Sequence, residues 1–148
     1  MTSRSCVALL LVLAGAVPAV AQSPAPAGRV KVVSGAAFVI HEGRQIPAMV
    51  GTPVFEQDQL LTGAGGRLGV TLRDDTRLSI GPQTTIHIDR FLYAPADSQF
   101  SFVLRVARGV VAYVSGRIAK LSPDAVRLET PAAIVGVRGT RVVMRVAE

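Results

Sequence analysis

From Arg29 onward the apolar side chains recur at every second residue, and no other feature constrains the fold so tightly. Val30 and Val32 alternate with Arg29 and Lys31; Leu68, Val70 and Leu72 with Arg67, Gly69 and Thr71; Leu78 and Ile80 with Arg77 and Ser79; Ile86 and Ile88 with Thr85, His87 and Asp89. Successive side chains of a strand point to opposite faces, so this period builds sheets with one dry face. The Val, Ile and Thr stems fit a pleated surface better than a helix. Turn formers punctuate the runs at Glu42-Gly43, 63–66, Asp74-Asp75, Gly81-Pro82, 95–98, 122–124 and Thr130-Pro131. The pattern predicts an all-β domain of short twisted strands, in a solenoid-like stack or a sandwich, with little or no helix. Single helical turns are expected near residues 54–59 and at Pro123–Ala125.

Composition narrows the chemistry. The chain has 148 residues, enough for one domain or a small domain with a tail. With 49% hydrophobic and 18% charged residues it is no disordered chain. A single cysteine, Cys6, excludes a disulfide scaffold and a cysteine-based zinc site. The two histidines are expected to be solvated: His41 sits beside a turn, and His87 alternates with Ile86 and Ile88. Zinc wants three or four ligands, and neither histidine has another at ligand spacing, so no metal is expected. Asp74 and Asp75 are neighbours whose carboxylates diverge, which makes them turn formers and not a hydrolytic pair. No serine stands in a G-x-S-x-G elbow. No catalytic residues, no enzyme activity and no cofactor are expected.

The N-terminus reads as an address. Arg4 supplies a charge, residues 7–17 form an apolar run, and Ala19-Val20-Ala21 offers small residues for cleavage before Gln22. Eleven apolar residues rise about 16 Å as a helix, against a hydrocarbon core of about 30 Å, so the run is too short for an anchor. Residues 1–21 are thus expected to be a signal peptide, 22–28 a Pro/Ala linker and 29–148 the domain, placing the mature chain in the periplasm or outside the cell, with no membrane span.

The formal charge is +6, and Lys31 and Lys120 are the sole lysines, so arginine carries the balance. Arg67, Arg73, Arg77, Arg138, Arg141 and Arg145 fall on the polar phases of their runs. On adjacent strands they would make a basic stripe, suited by its forked guanidiniums to an acidic protein face, a glycan or lipid phosphates. Nucleic acid is not expected, because aromatics are few and not interleaved with the arginines. Gly136-Val-Arg-Gly-Thr140 lacks the lysine and helix of a phosphate-binding loop. It is expected to be a strand kink, with Gly139 in a backbone geometry closed to other residues and Arg138 and Thr140 on one face.

The order of these pieces resembles the FecR-type periplasmic domain. Gly28-Arg-Val-Lys-Val-Val-Ser-Gly35 is similar to that family's opening strand, and Gly51 with Asp58-Gln-Leu-Leu-Thr62 to its D-x-L-x-T segment. Gly66-Arg-Leu-Gly-Val-Thr-Leu-Arg-Asp-Asp-Thr-Arg-Leu-Ser-Ile80 resembles its G-x-a-x-L-x-L-x-D-G-S-x-L-x-L run, and Arg108-Gly-Val-Val-Ala-Tyr-Val114 a later strand. Thr130-Pro-Ala-Ala-Ile-Val-Gly-Val-Arg-Gly-Thr140 resembles its closing T-P-x-a-x-x-x-V-R-G-T almost letter for letter. Asp75 and Gln57 depart from the pattern by standing where the family has glycine. Complete FecR-type regulators carry a cytoplasmic anti-sigma segment and a membrane helix ahead of this domain, where a cleavable signal is expected here. The resemblance therefore implies a non-catalytic exported module that binds another envelope protein, in signalling or otherwise, through its outer contacts or edge-strand pairing. The alternative is a structural or adhesin-like surface unit that binds polysaccharide or anionic envelope components.

Overall fold

The computed structural model describes residues 15–20, 23–139 and 141–147. Most of the expected signal segment, the Ala21-Gln22 cleavage point and Thr140 of the closing motif lie outside the described residues. Among the described residues no helix is long and apolar enough to cross a membrane. In chain order the strands are β1 (Gly28–Ser34), β2 (Ala37–His41), β3 (Arg44–Pro47), β4 (Pro53–Val54), β5 (Gln59–Thr62), β6 (Arg67–Leu72), β7 (Arg77–Ile80), β8 (Thr85–Ala94), β9 (Gln99–Val114), β10 (Val126–Glu129), β11 (Ile134–Gly136) and β12 (Arg141–Val146). One helix, α1 (Arg117–Leu121), and 3₁₀ turns at Pro95–Asp97 and Pro123–Ala125 complete the elements among the described residues. Strands take 55% of the structure and helices 8%, so the all-β expectation holds.

The strands form one sheet that curls into an antiparallel half-barrel. Its organiser is β9, 16 residues long where the sequence suggested short strands throughout. The first part of β9 pairs with β8 on one side and, in parallel, with β10 on the other. Its last part pairs with β7 and β12. One half-sheet thus runs β3-β2-β5-β8-β9-β10-β11 and the other β4-β1-β6-β7-β9-β12. Gly109, with φ +96°, marks the change of partners. Inward residues of both halves, Val30, Val70, Leu78 and Tyr113 from one and Val39, Leu60, Ile86 and Leu104 from the other, meet in a single core. Each fully buried aliphatic side chain among them contributes roughly 1.5–3 kcal/mol.

Several expectations need correction. Val30 is buried, but Val32 is 58% exposed, although simple alternation puts both inside. A bulge shifts the β1–β6 register between them, and one extra residue reverses the phase of all that follow. Residues 54–59 form no helical turn. Residues 55–58 instead make a tight turn closed by the Asp58 N–H on Phe55 O at 3.2 Å, and the Gln57 N–H and Asp58 O bond Ile88 on β8 at 2.6 and 3.0 Å. The turn at Pro123–Ala125 is present, whereas α1 just before it was not foreseen. Gln57 and Asp75 take φ +71° and +69°, the left-handed conformation that glycine would adopt without strain.

Candidate functional site

Alternation in β6, β7, the end of β9 and β12 sends one set of side chains inward and leaves the other on an outer face. The registers arrange the outer set in three cross-strand rows. In the first, Arg29, Thr71, Arg77, Val114 and Arg141 follow one another across β1, β6, β7, β9 and β12. Val32, Gly69, Ser79, Ala112 and Val143 make the second. The third is Ser34, Arg67, Gly81, Val110 and Arg145, with Gly81 N donating to Val110 O at 2.9 Å. Arg77 and Arg141 flank Val114 from either side, two strand spacings or about 10 Å apart. Arg67, Arg77, Arg141 and Arg145 are all exposed, and among the described residues no carboxylate occupies any position of these rows. The sequence identified those four; Arg29, whose guanidinium donates to Gly51 O at 3.1 Å, joins them through the β1 pairing alone.

Arg73 and Arg138 do not belong to this face. Arg73 lies past the end of β6, where its backbone N–H bonds Ala27 O at 2.8 Å and its guanidinium stands over the Phe91 ring, 5.5 Å from the centroid. Arg138 and Gly139 line a separate cavity of about 550 Å³ with Ala119 and Lys120 of α1 and Val137. Gly136 closes β11. Gly139 is not left-handed, and a Cβ there would meet no atom within 4 Å. The expected backbone role of Gly139 therefore fails; the closing segment shapes a cavity wall without a glycine-only kink at that residue.

His41 departs most from expectation. It is half-buried, and its Nδ1 donates to Asp58 Oδ1 at 2.5 Å. Asp58 is 1% exposed, and its other oxygen accepts the Phe55 N–H at 2.8 Å. The ring is thus held between two carboxylates, with Nδ1 on Asp58 and Nε2 facing Glu42 Oε1, 3.8 Å away. The Phe55 ring packs on the imidazole, centroids 4.7 Å apart. His41, Glu42, Glu56, Asp58 and His87 line one cleft of about 450 Å³. The two histidines, far apart in sequence, are brought together because Gln59 pairs with Ile40 on one side and His87 on the other. Among the described residues no serine, threonine or cysteine lines the cleft. No cluster of three or more His, Cys, Asp or Glu among them could hold a metal ion.

His87 makes stability pH-dependent. Burial, followed by the Arg105 guanidinium, holds its pKa below the ordinary 6.5, with Asp89 opposing. The unfolded chain then takes up the proton first as pH falls through 6.5, so stability is lost from there down to the folded value. His87→Gln is expected to shrink the fall in melting temperature between about pH 7.5 and about pH 5.5. An unchanged fall in the variant contradicts the assignment.

No curated protein and no solved structure matches the chain. The FecR protein family matches residues 58–148, more than half of the chain, from Asp58 of the cleft through β12. The motifs resembling that family from Asp58 onward thus fall on β5, the β6–β7 hairpin, the end of β9 and the segment leading into β12, and the chain belongs to the FecR protein family.

Proposed function

We propose that this chain is exported and serves in the cell envelope as a non-catalytic module that docks another envelope protein on its outer arginine face. FecR membership connects the domain with envelope signalling. The observation that carries the reading is the grouping of Arg29, Arg67, Arg77, Arg141 and Arg145 around an apolar row with no carboxylate among the described residues of the face. Like charges held this close raise the energy of the free surface, and an acidic partner relieves it. Forked guanidinium bonds favour carboxylates held in fixed geometry, as on a folded partner. Beside the face, β12 has one edge on β9 and leaves the other unpaired among the described strands, a second means of attachment.

Cross-linking in intact cells followed by mass spectrometry tests the reading. The native chain is expected to capture one dominant protein. Arg77→Glu combined with Arg141→Glu is expected to reduce that capture at least tenfold, with the melting temperature shifted by no more than about 2 °C because both side chains are exposed. Capture unaffected by the double reversal removes the face from the account. Recovery of glycan or lipid alone, in a salt-sensitive manner, supports the surface-unit alternative instead.

A further inference from the structure

The middle row of the outer face has dimensions that select what can lie on it. Gly69, Ser79 and the neighbouring Gly81 offer almost no side chain, so the surface sinks there into a groove of about 340 Å³. Val32 and Val143, 58% and 63% exposed, stand on the outer strands of the same row. A small residue within a strand marks a place where another backbone can come close. The row crosses five strands, about 19 Å, and the arginine rows on its two sides are four residues, or about 13 Å, apart.

We propose that this groove seats an amphipathic α-helix of the partner, with its apolar stripe on Val32, Ser79, Ala112 and Val143 and acidic side chains on both flanks. The inference rests on the reading of this face as the docking surface and adds the kind of element bound. Backbone pairing, width and charge select a helix. A sheet face presents side chains and no free backbone groups, so a segment buried on it must pair its own N–H and C=O groups, as a helix does. A strand would go to an edge. A helix with its side chains is about 10–12 Å across, a width that fits between the arginine rows. A second sheet packed face to face would cover all three rows and bury the guanidiniums. With arginines on either side and no described carboxylate between them, the flanks of the bound helix must be acidic on both sides. About thirteen helical residues span the row.

Three synthetic peptides of about eighteen residues test this on the whole protein by fluorescence anisotropy and amide chemical-shift mapping. The first has leucines at i, i+3, i+4 and i+7 with glutamates on both flanks; the second replaces the glutamates by lysines; the third keeps them but carries a central proline. The glutamate helix is expected to bind and to shift the amides of Gly69, Ser79, Ala112 and Val143. Lysine flanks, the central proline, Ser79→Tyr, or Arg77→Glu with Arg141→Glu should each weaken it at least tenfold, melting curves showing that the variants fold. Absence of binding by the glutamate helix, equal binding of the proline or lysine peptide, or shifts confined to the free edge of β12 overturns the proposal. Preferential binding of phosphatidylglycerol vesicles overturns it too. If a cellular partner is captured in an arginine-dependent way but through a strand or loop, the helix is wrong and the docking face stands. Capture indifferent to the arginines removes the face itself.

Discussion

Gly109→Ala is expected to lower stability by about 3 kcal/mol, roughly 12 °C in melting temperature for a domain of this size. Two effects add. At φ +96° the alanine backbone is strained, and the new Cβ would sit 2.5 Å from Thr84 Cα, far inside contact distance. Thr84 has little freedom to retreat. It is fully buried, its N–H donates to Thr62 Oγ1 at 2.9 Å, and its own Oγ1 donates to Pro82 O and accepts the Val110 N–H, both at 3.0 Å. These bonds tie β5, the β7–β8 turn and β9 together at the point where β9 passes from one half-sheet to the other. A urea titration measures the loss, and a change below about 1 kcal/mol contradicts the assigned role of Gly109.

Asp74→Ala is the second large effect, at about 3 kcal/mol. The carboxylate is fully buried in the turn between β6 and β7, 44 residues before Ile118 of α1. One oxygen accepts the Thr76 N–H at 3.1 Å; the other accepts the Thr76 hydroxyl at 2.7 Å and the Ile118 N–H at 3.2 Å. Gly116, at the start of α1, supplies no side-chain cap, so Asp74 takes that role from across the fold. Truncation leaves these donors without an acceptor. Asp74→Asn, which retains one acceptor oxygen, should fall between alanine and the native residue. Hydrogen exchange at Ile118 should quicken in step with the loss; native-like exchange in the alanine variant would refute the capping role. Asp75, next in sequence, pairs with Arg117 at 3.2 Å on the exposed surface and contributes little by comparison.

These two residues also show what the sequence can and cannot disclose. Period-two alternation from β6 through β8 specifies strands, their inner faces and the outward direction of Arg67 and Arg77, because side-chain direction is local. The turns at Glu42-Gly43, Asp74-Asp75 and Gly81-Pro82 are local as well, and each falls where its residues place it. That Arg77 and Arg141 share a cross-strand row depends on both pairing with Val114, a non-local register that alternation leaves open. The phase of Val32 follows from a bulge, which no single residue type announces. Gly109 resembles the other glycines until its left-handed φ and its contact with Thr84 are known. His41 and Asp58 are 17 residues apart and meet because β2 pairs with β5, so reading His41 from its adjacent turn alone put it in solvent. The glycine signal in the closing motif misled in the other direction: Gly139 has open space where a Cβ would go.

The proposed function requires a partner docked against the outer face of β6, β7, β9 and β12. Site-specific photo-cross-linking in intact cells addresses this directly, with the reactive residue placed in turn at exposed positions Val32, Val143, Ile46 and Ile134. Val32 and Val143 lie on the face, whereas Ile46 on β3 and Ile134 on β11 lie at the two edges of the other half-sheet. The expected result is one protein adduct from positions 32 and 143 and none from 46 and 134. Adducts from 46 or 134 alone would show that the partner docks elsewhere and contradict the account.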